Sequence, residues 1–269
     1  MHSRYWYRFA GWGFFAYVSL GAVLTVFQER IFLRPEPLSP SYRYGFAMPY
    51  EEIDIPYSAG ANLHMVRFAA QGARRKGVVL YLHGNRRNVT WYAPRVPAFT
   101  RRGYEVWMVD YPGFGKSTGP LTEEMLKEYA LQACKRAVVE CGADSLVIYG
   151  RSLGTGLAGW LAARVPAEQL ILETPYWSFA SVMARYLPVY PVEMMSRFRL
   201  PLHEDIPQVR MPVTIFHGTA DGVIPYENAR LLKGLLKPGD RFVTIEGGGH
   251  NDLDTHPLYG AVMDTLLSR

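Results

Sequence analysis

Five residues, Gly150-Arg151-Ser152-Leu153-Gly154, hold a serine between two glycines. A serine hydroxyl is a weak nucleophile at neutral pH. It becomes reactive where an imidazole can take its proton and a carboxylate fixes that imidazole's tautomer. Before the motif, Leu146 to Tyr149 is apolar and reads as a buried strand; after it, Leu153, Leu157, Trp160 and Leu161 recur at helical spacing. At such a strand-to-helix turn the hydroxyl projects, and the glycines remove Cβ atoms that would collide with the chain packed around the serine. The amide of Leu153 then sits at a helix N-terminus, aimed at any oxyanion that forms. Taken alone, the five residues also describe a tight turn in some other α/β protein. The partners must be sought elsewhere.

Strand and helix patterns alternate along most of the chain. After a hairpin (strands at about 52–57 and 62–68) come strand 77–82, helix 91–102, strand 104–109, helix 122–141, strand 145–149, helix 153–164 and strand 169–173. The alternation resumes with strand 212–217, helix 225–236, strand 241–246 and helix 256–268. Thr122 caps the long helix, whose inward face is Leu126, Ala130, Ala133 and Ala137. Such alternation argues an α/β fold, a mostly parallel sheet with helices on both faces. Functional groups of these sheets gather at the carboxyl ends of the strands.

Those ends hold the missing chemistry. Strand 212–217 runs into His217-Gly-Thr-Ala-Asp221, and strand 241–246 into Gly247-Gly-Gly-His250-Asn-Asp252. Ser152, Asp221 and His250 supply nucleophile, acid and base, in the chain order Ser, Asp, His. Asp252 or Asp254 as the acid, and His256 or His203 as the base, are the alternatives. Strand 77–82 ends in His83-Gly84-Asn85, where the glycine frees the Asn85 and Arg86 amides to complete an oxyanion hole. His83 reads as a buried hydrogen-bonding residue. Asp110, opening the turn Asp110-Tyr-Pro-Gly-Phe-Gly115-Lys-Ser117, reads as a brace for its loop; the turn lacks the spacing of a phosphate loop.

Phe9 to Phe27 is nineteen residues without a charge, preceded by Arg4, Arg8 and the cluster Tyr5-Trp6-Tyr7. The length suits a bilayer's hydrocarbon core and the flanking residues suit its interface. A signal peptide and a core helix are the rivals, but Gln28-Glu29-Arg30 follows directly, where a cleavage site of small residues would stand. The expectation is a single-pass anchor over 1–30, with the flanking arginines leaving the side of the membrane open. Residues 31–51 hold four prolines (Pro35, Pro37, Pro40 and Pro49) and read as a linker to a catalytic domain over 52–269.

The bulk numbers fit one globular domain: 49% hydrophobic residues, 20% charged and 14% aromatic. The net charge of +5 is spread along the chain with no dense basic tract, which argues against nucleic acid and for an anionic membrane surface. Cys134 and Cys141 fall in one helix about 10 Å apart in rise, too far for a disulfide. No metal-ligand spacing is present, and no cofactor is expected.

From about Ile53 onward the chain resembles the α/β-hydrolase superfamily, most closely the small membrane-anchored branch of ABHD-type serine hydrolases and their bacterial relatives. The resemblance rests on HGN (83–85), DYPGFGKSTG (110–119), YGRSLGTG (149–156), ETPYWSF (173–179), HGTADGVIP (217–225) and GGGHND (247–252), in that order. It implies the α/β-hydrolase fold with an eight-stranded sheet whose second strand is antiparallel. It also implies Ser152 as nucleophile, Asp221 and His250 as its partners, and the Asn85 and Leu153 amides as oxyanion donors. The insert 174–211 is too short for a full cap domain and reads as a small lid. Its aromatics and methionines, Tyr176, Trp177 and Phe179 foremost, are candidates to contact an acyl chain, although part of them must pack as core. Arg86 and Arg87 either meet an anionic headgroup or form a solvated basic face. The expected activity is hydrolysis of ester or thioester bonds in lipid-like acyl substrates: lysophospholipid, monoacylglycerol or acyl-thioester. The alternatives are a serine peptidase of the prolyl-oligopeptidase type and a non-catalytic scaffold.

Overall fold

The computed structural model describes residues 2–72 and 74–268, with side chains from residue 11 onward. Arg4, Tyr5, Trp6, Tyr7 and Arg8, expected at a membrane interface, therefore lie outside the described side chains. Eight strands form one sheet: β1 (Tyr50–Ser58), β2 (Ala61–Phe68), β3 (Gly77–Leu82), β4 (Tyr104–Val109), β5 (Leu146–Arg151), β6 (Gln169–Glu173), β7 (Val213–Gly218) and β8 (Arg241–Ile245). Their spatial order is β1-β2-β4-β3-β5-β6-β7-β8. Within it, β2 is antiparallel to both neighbours and the other pairs are parallel. Strands β3 to β7 are buried along their whole length, as apolar runs covered on both faces must be. Alternate side chains divide between two cores, Leu80, Leu82 and Ile148 on one face, Val79, Tyr81, Val147 and Tyr149 on the other.

The helices that position the site are α1 (His2–Phe32), α2 (Glu123–Cys141), α3 (Leu153–Ala162), α4 (Phe179–Tyr186), α5 (Val192–Met195) and α6 (Pro257–Leu266). Thr122 caps α2 by accepting the Met125 amide. The helix expected over 91–102 is broken into short turns, Val89–Tyr92, Ala93–Arg95 and Pro97–Thr100. Pro94 and Pro97 remove the amides that a continuous helix would need. Similarly, the helix expected over 225–236 gives way to a tighter turn at Leu231–Leu235.

Helix α1 differs most from expectation. Its segment Gly11–Phe32 is long and apolar enough to cross a bilayer, and Trp12, Phe14, Phe15, Leu20 and Val26 are exposed. It does not stop at residue 30 and hand over to a free linker. Leu33 is buried in the core, and Arg34-Pro35 form a short parallel ladder with Arg86-Arg87. The Asn85 side chain donates to the Phe32 carbonyl at 2.6 Å, and the Arg34 amide donates to the Asn85 carbonyl at 2.8 Å. Further along, Tyr44 is also buried, stacked on Phe46. The segment after the helix is thus part of the domain's wall.

Candidate active site

Ser152 sits between β5 and α3 at φ 51°, ψ −118°, a left-handed conformation unusual for a residue with a Cβ. The surrounding packing holds it there. A Cβ on Gly150 would lie 2.6 Å from both the Ala158 Cβ and the Gly154 carbonyl oxygen. One on Gly154 would overlap the Leu82 carbonyl oxygen at the end of β3. The Ser152 amide donates to the Glu173 carbonyl at 3.0 Å, tying the turn to the end of β6.

The loops after β7 and β8 bring the partners in. His250 Nε2 is 3.1 Å from Ser152 Oγ, and His250 Nδ1 is 2.8 Å from Asp221 Oδ2. This geometry assigns the Nδ1 proton to the bond with Asp221 and leaves Nε2 to accept from the serine hydroxyl. The other Asp221 oxygen accepts the amides of Val223 and Ile224, each at 2.8 Å. Burial pushes the Asp221 carboxyl up, but the hydrogen bond and charge of His250, with the Ile224 amide, outweigh it and hold the group below the ordinary carboxylate range. Nearby His217 is pushed down by burial and bonds the Ile224 carbonyl at 3.0 Å through Nε2.

The competing candidates are placed elsewhere. Asp252 accepts the Gly249 amide at 2.7 Å and so braces the glycine loop. Asp254 faces Arg95, and His203 stacks on Trp177 with centroids 4.4 Å apart. His256 caps α6. His83 is buried, with Nδ1 2.7 Å from the Gly84 carbonyl oxygen and Tyr92 stacked on its ring. Asp110 accepts the Val89 amide at 2.9 Å, so its carboxylate braces the loop that follows β3 and not, as expected, its own turn, where Ser117 instead donates to the Asp110 carbonyl. Among the described residues, the amides of Asn85 and Leu153 have no hydrogen-bond acceptor in the chain, and both residues flank Ser152.

A cavity of about 360 Å³ opens over Ser152 and His250. Its apolar wall combines Phe179, Val182, Tyr186 and Leu187 from the lid with Ile31 and Phe32 from the end of α1. Of the three aromatics expected to contact substrate, only Phe179 lines it. Tyr176 is buried and donates to the Leu153 carbonyl at 3.0 Å, supporting the first turn of α3 from behind. Trp177 turns away to stack on His203. The contribution of Ile31 and Phe32 was hidden in the sequence, because an apolar helix end carries no mark of what it will face. Arg34, Arg86 and Trp91 also line the cavity.

The described residues hold no cluster of His, Cys, Asp and Glu able to bind a metal. A family model described as alpha/beta hydrolase fold matches residues 77–205. An uncharacterised protein of Mycobacterium tuberculosis is 30% identical over 193 residues, covering 71% of this chain and 68% of that one. The lysophosphatidylserine lipase ABHD12 of Macaca fascicularis is 29% identical over 191 residues, covering 63% of this chain and 48% of that protein. This chain therefore matches about half of the length of that lipase. Among solved structures, an esterase of Pyrococcus furiosus, Pf2001, superposes with a TM-score of 0.69 at 14% identity, covering 88% of this chain and 97% of the esterase. At that identity the likeness is one of fold.

Proposed function

This chain belongs to the α/β-hydrolase superfamily, and we propose that it is a serine hydrolase cleaving carboxylic ester or thioester bonds of lipid-like acyl substrates. One observation carries the reading: the relay Asp221–His250–Ser152, with contacts of 2.8 and 3.1 Å, lies at the base of an apolar-walled cavity. The 29% identity to a lysophosphatidylserine lipase supports it.

In the proposed reaction Ser152 Oγ attacks the acyl carbonyl as His250 Nε2 takes the hydroxyl proton. Asp221 holds the ring and stabilises the imidazolium. The oxyanion is met by the amides of Asn85 and Leu153. The proton passes to the departing alcohol or thiol, leaving an acyl-enzyme. Water then attacks it, gives its proton to His250, and the acid leaves as Ser152 regains its hydrogen. Helix α1 serves as the membrane anchor, and the acyl chain lies between the lid and the end of that helix.

The test is labelling by a fluorophosphonate probe, with turnover of p-nitrophenyl acyl esters of rising chain length. Wild type is expected to label and to favour longer chains, and Ser152→Ala to do neither. Labelling that persists in Ser152→Ala removes the nucleophile assignment. Turnover of proline-linked anilides in preference to the esters removes the substrate class.

A further inference from the structure

We propose that Arg151, the residue between Gly150 and Ser152, is a positioning residue that holds the catalytic imidazole over the serine, with Glu173 as its counter-charge. The proposal rests on the reading of Ser152, His250 and Asp221 as a catalytic relay.

Arg151 ends β5 and is 2% exposed, an unusual place for a guanidinium unless it is paired. Its cross-strand partner in the register of β5 and β6 is Glu173, also buried. Arg151 Nε donates to Glu173 Oε1 at 2.7 Å. The second oxygen of Glu173 accepts the hydroxyls of Tyr149 and Tyr259, the latter at 2.8 Å. The pair is therefore satisfied on the carboxylate side without any help from the active site.

What remains of the guanidinium reaches across to the loop after β8. Arg151 Nη2 donates to the His250 carbonyl at 2.9 Å and to Asn251 Oδ1 at 2.9 Å. Among the described residues, this is the hydrogen bond that fixes the backbone of His250; the others at the residue are made by its ring. The need for such a fixture follows from the three preceding residues, Gly247, Gly248 and Gly249, which give the loop wide backbone freedom. One end of that run is held by the bond from the Ala220 amide to the Gly248 carbonyl at 2.9 Å. At the other end, Asp252 accepts the Gly249 amide and Arg95 donates to the Asn251 carbonyl at 2.8 Å, while Arg151 alone takes the carbonyl of His250 itself. Glu173 completes the frame, since its carbonyl accepts the Ser152 amide. Nucleophile and base are thus both referred to one buried ion pair.

Arg151 also borders the cavity, but Nε and Nη2 are committed inside the protein, so its loss is expected to act on kcat more than on KM. Arg151→Lys keeps a cation beside Glu173 but lacks the fork that serves the carboxylate and the loop together. With p-nitrophenyl butyrate, its kcat is expected to fall about tenfold or more, with KM within about threefold. Asn251→Ala, at an exposed site, is expected to lower kcat a few-fold with Tm unchanged. The decisive comparison is Arg151→Met against Arg151→Met/Glu173→Gln. Removing both charges is expected to restore the Tm that the single change loses, while kcat stays low. Recovery of kcat along with Tm would mean that the pair is only structural and overturns the proposal. So does an unchanged kcat in both Arg151→Lys and Asn251→Ala. Turnover that survives Ser152→Ala overturns the underlying relay instead, so the two failures are distinct.

Discussion

The ring of Tyr17 stacks on that of Tyr190, with centroids 4.6 Å apart and planes 3° from parallel. The Tyr17 hydroxyl donates to the Val189 carbonyl at 2.7 Å, and the Tyr190 hydroxyl to the Tyr17 carbonyl at 3.1 Å. Tyr17 lies about fifteen residues, or about 22 Å of rise, before the end of α1. The lid tip therefore lies along the apolar helix and not only at its foot. Gly21 makes room for it, since a Cβ there would come within 3.0 Å of the Tyr190 ring. Lid and helix form one packed unit, and together they wall the cavity over Ser152.

Gln28 is the polar pin of that unit. It is 2% exposed, its Nε2 donates to the Met195 carbonyl at 3.1 Å, and its Oε1 accepts the Arg197 amide at 2.7 Å. Gln28→Leu keeps the bulk but strands two lid backbone groups, at a cost of about 1–3 kcal/mol. For a chain of this size that is a fall of about 2–10 °C in Tm. The lid should also shift against Phe32, lowering turnover of long-chain esters relative to short ones. Thermal melts and a chain-length series check both, and an unchanged ratio with an unchanged Tm counts against the coupling.

Two glycine substitutions should separate sharply. Gly154→Ala drives a methyl group into the Leu82 carbonyl, a backbone obstacle that cannot rotate away. The expected loss is about 3 kcal/mol, together with displacement of Ser152 and loss of probe labelling. A Cβ on Gly234 would meet only open space beyond its chain neighbours, so Gly234→Ala should stay within about 0.5 kcal/mol of wild type. Urea melts of the two variants make the comparison.

The contrast between these glycines also marks what a sequence can disclose. Gly150, Ser152 and Gly154 are legible because a strand-to-helix turn imposes local steric demands. The order of Asp221 and His250 is legible because each follows a run of strand residues. Other features depend on contacts between distant segments. That Arg151 faces Glu173 is a matter of register between β5 and β6. Whether an aromatic such as Tyr176 lines a cavity or props a helix depends on the face its turn presents. The apolar run of α1 is legible as long enough to cross a bilayer, but its use as a wall is not, because periodicity reports burial and not the partner.

Stability should fall in acid for a definite reason. Burial raises the carboxyls of Asp221 and Glu173, but the bond from His250 in one case, and the Arg151 charge with the Tyr149 hydroxyl in the other, bring both below their ordinary values. The unfolded chain binds these protons near pH 4, where the folded chain still resists them, so stability rises with pH across that window. The contribution is fully present above about pH 4–4.5 and is lost as pH falls through the folded values. Urea midpoints should be nearly flat from neutral pH to about 5 and then decline. Glu173→Gln should flatten the decline; a decline of undiminished slope in that variant would assign it to other groups.

Arg34 and Arg86 border the cavity, and among the described residues neither has an acidic partner. Arg87 is differently placed, over the Trp91 ring at 4.3 Å and 3.9 Å from Glu36. Exposed charges contribute little to stability, but two cations beside an apolar wall raise the local concentration of anions. Arg34→Gln/Arg86→Gln should therefore leave Tm unchanged, since the backbone ladder between 34–35 and 86–87 does not use these side chains. Its KM for a lysophospholipid with an anionic headgroup should rise about fivefold while that for a monoacylglycerol of the same chain length stays put. The difference should shrink as added salt shortens the Debye length. Equal changes on the two substrates, or a difference indifferent to salt, would assign these arginines to a solvated surface.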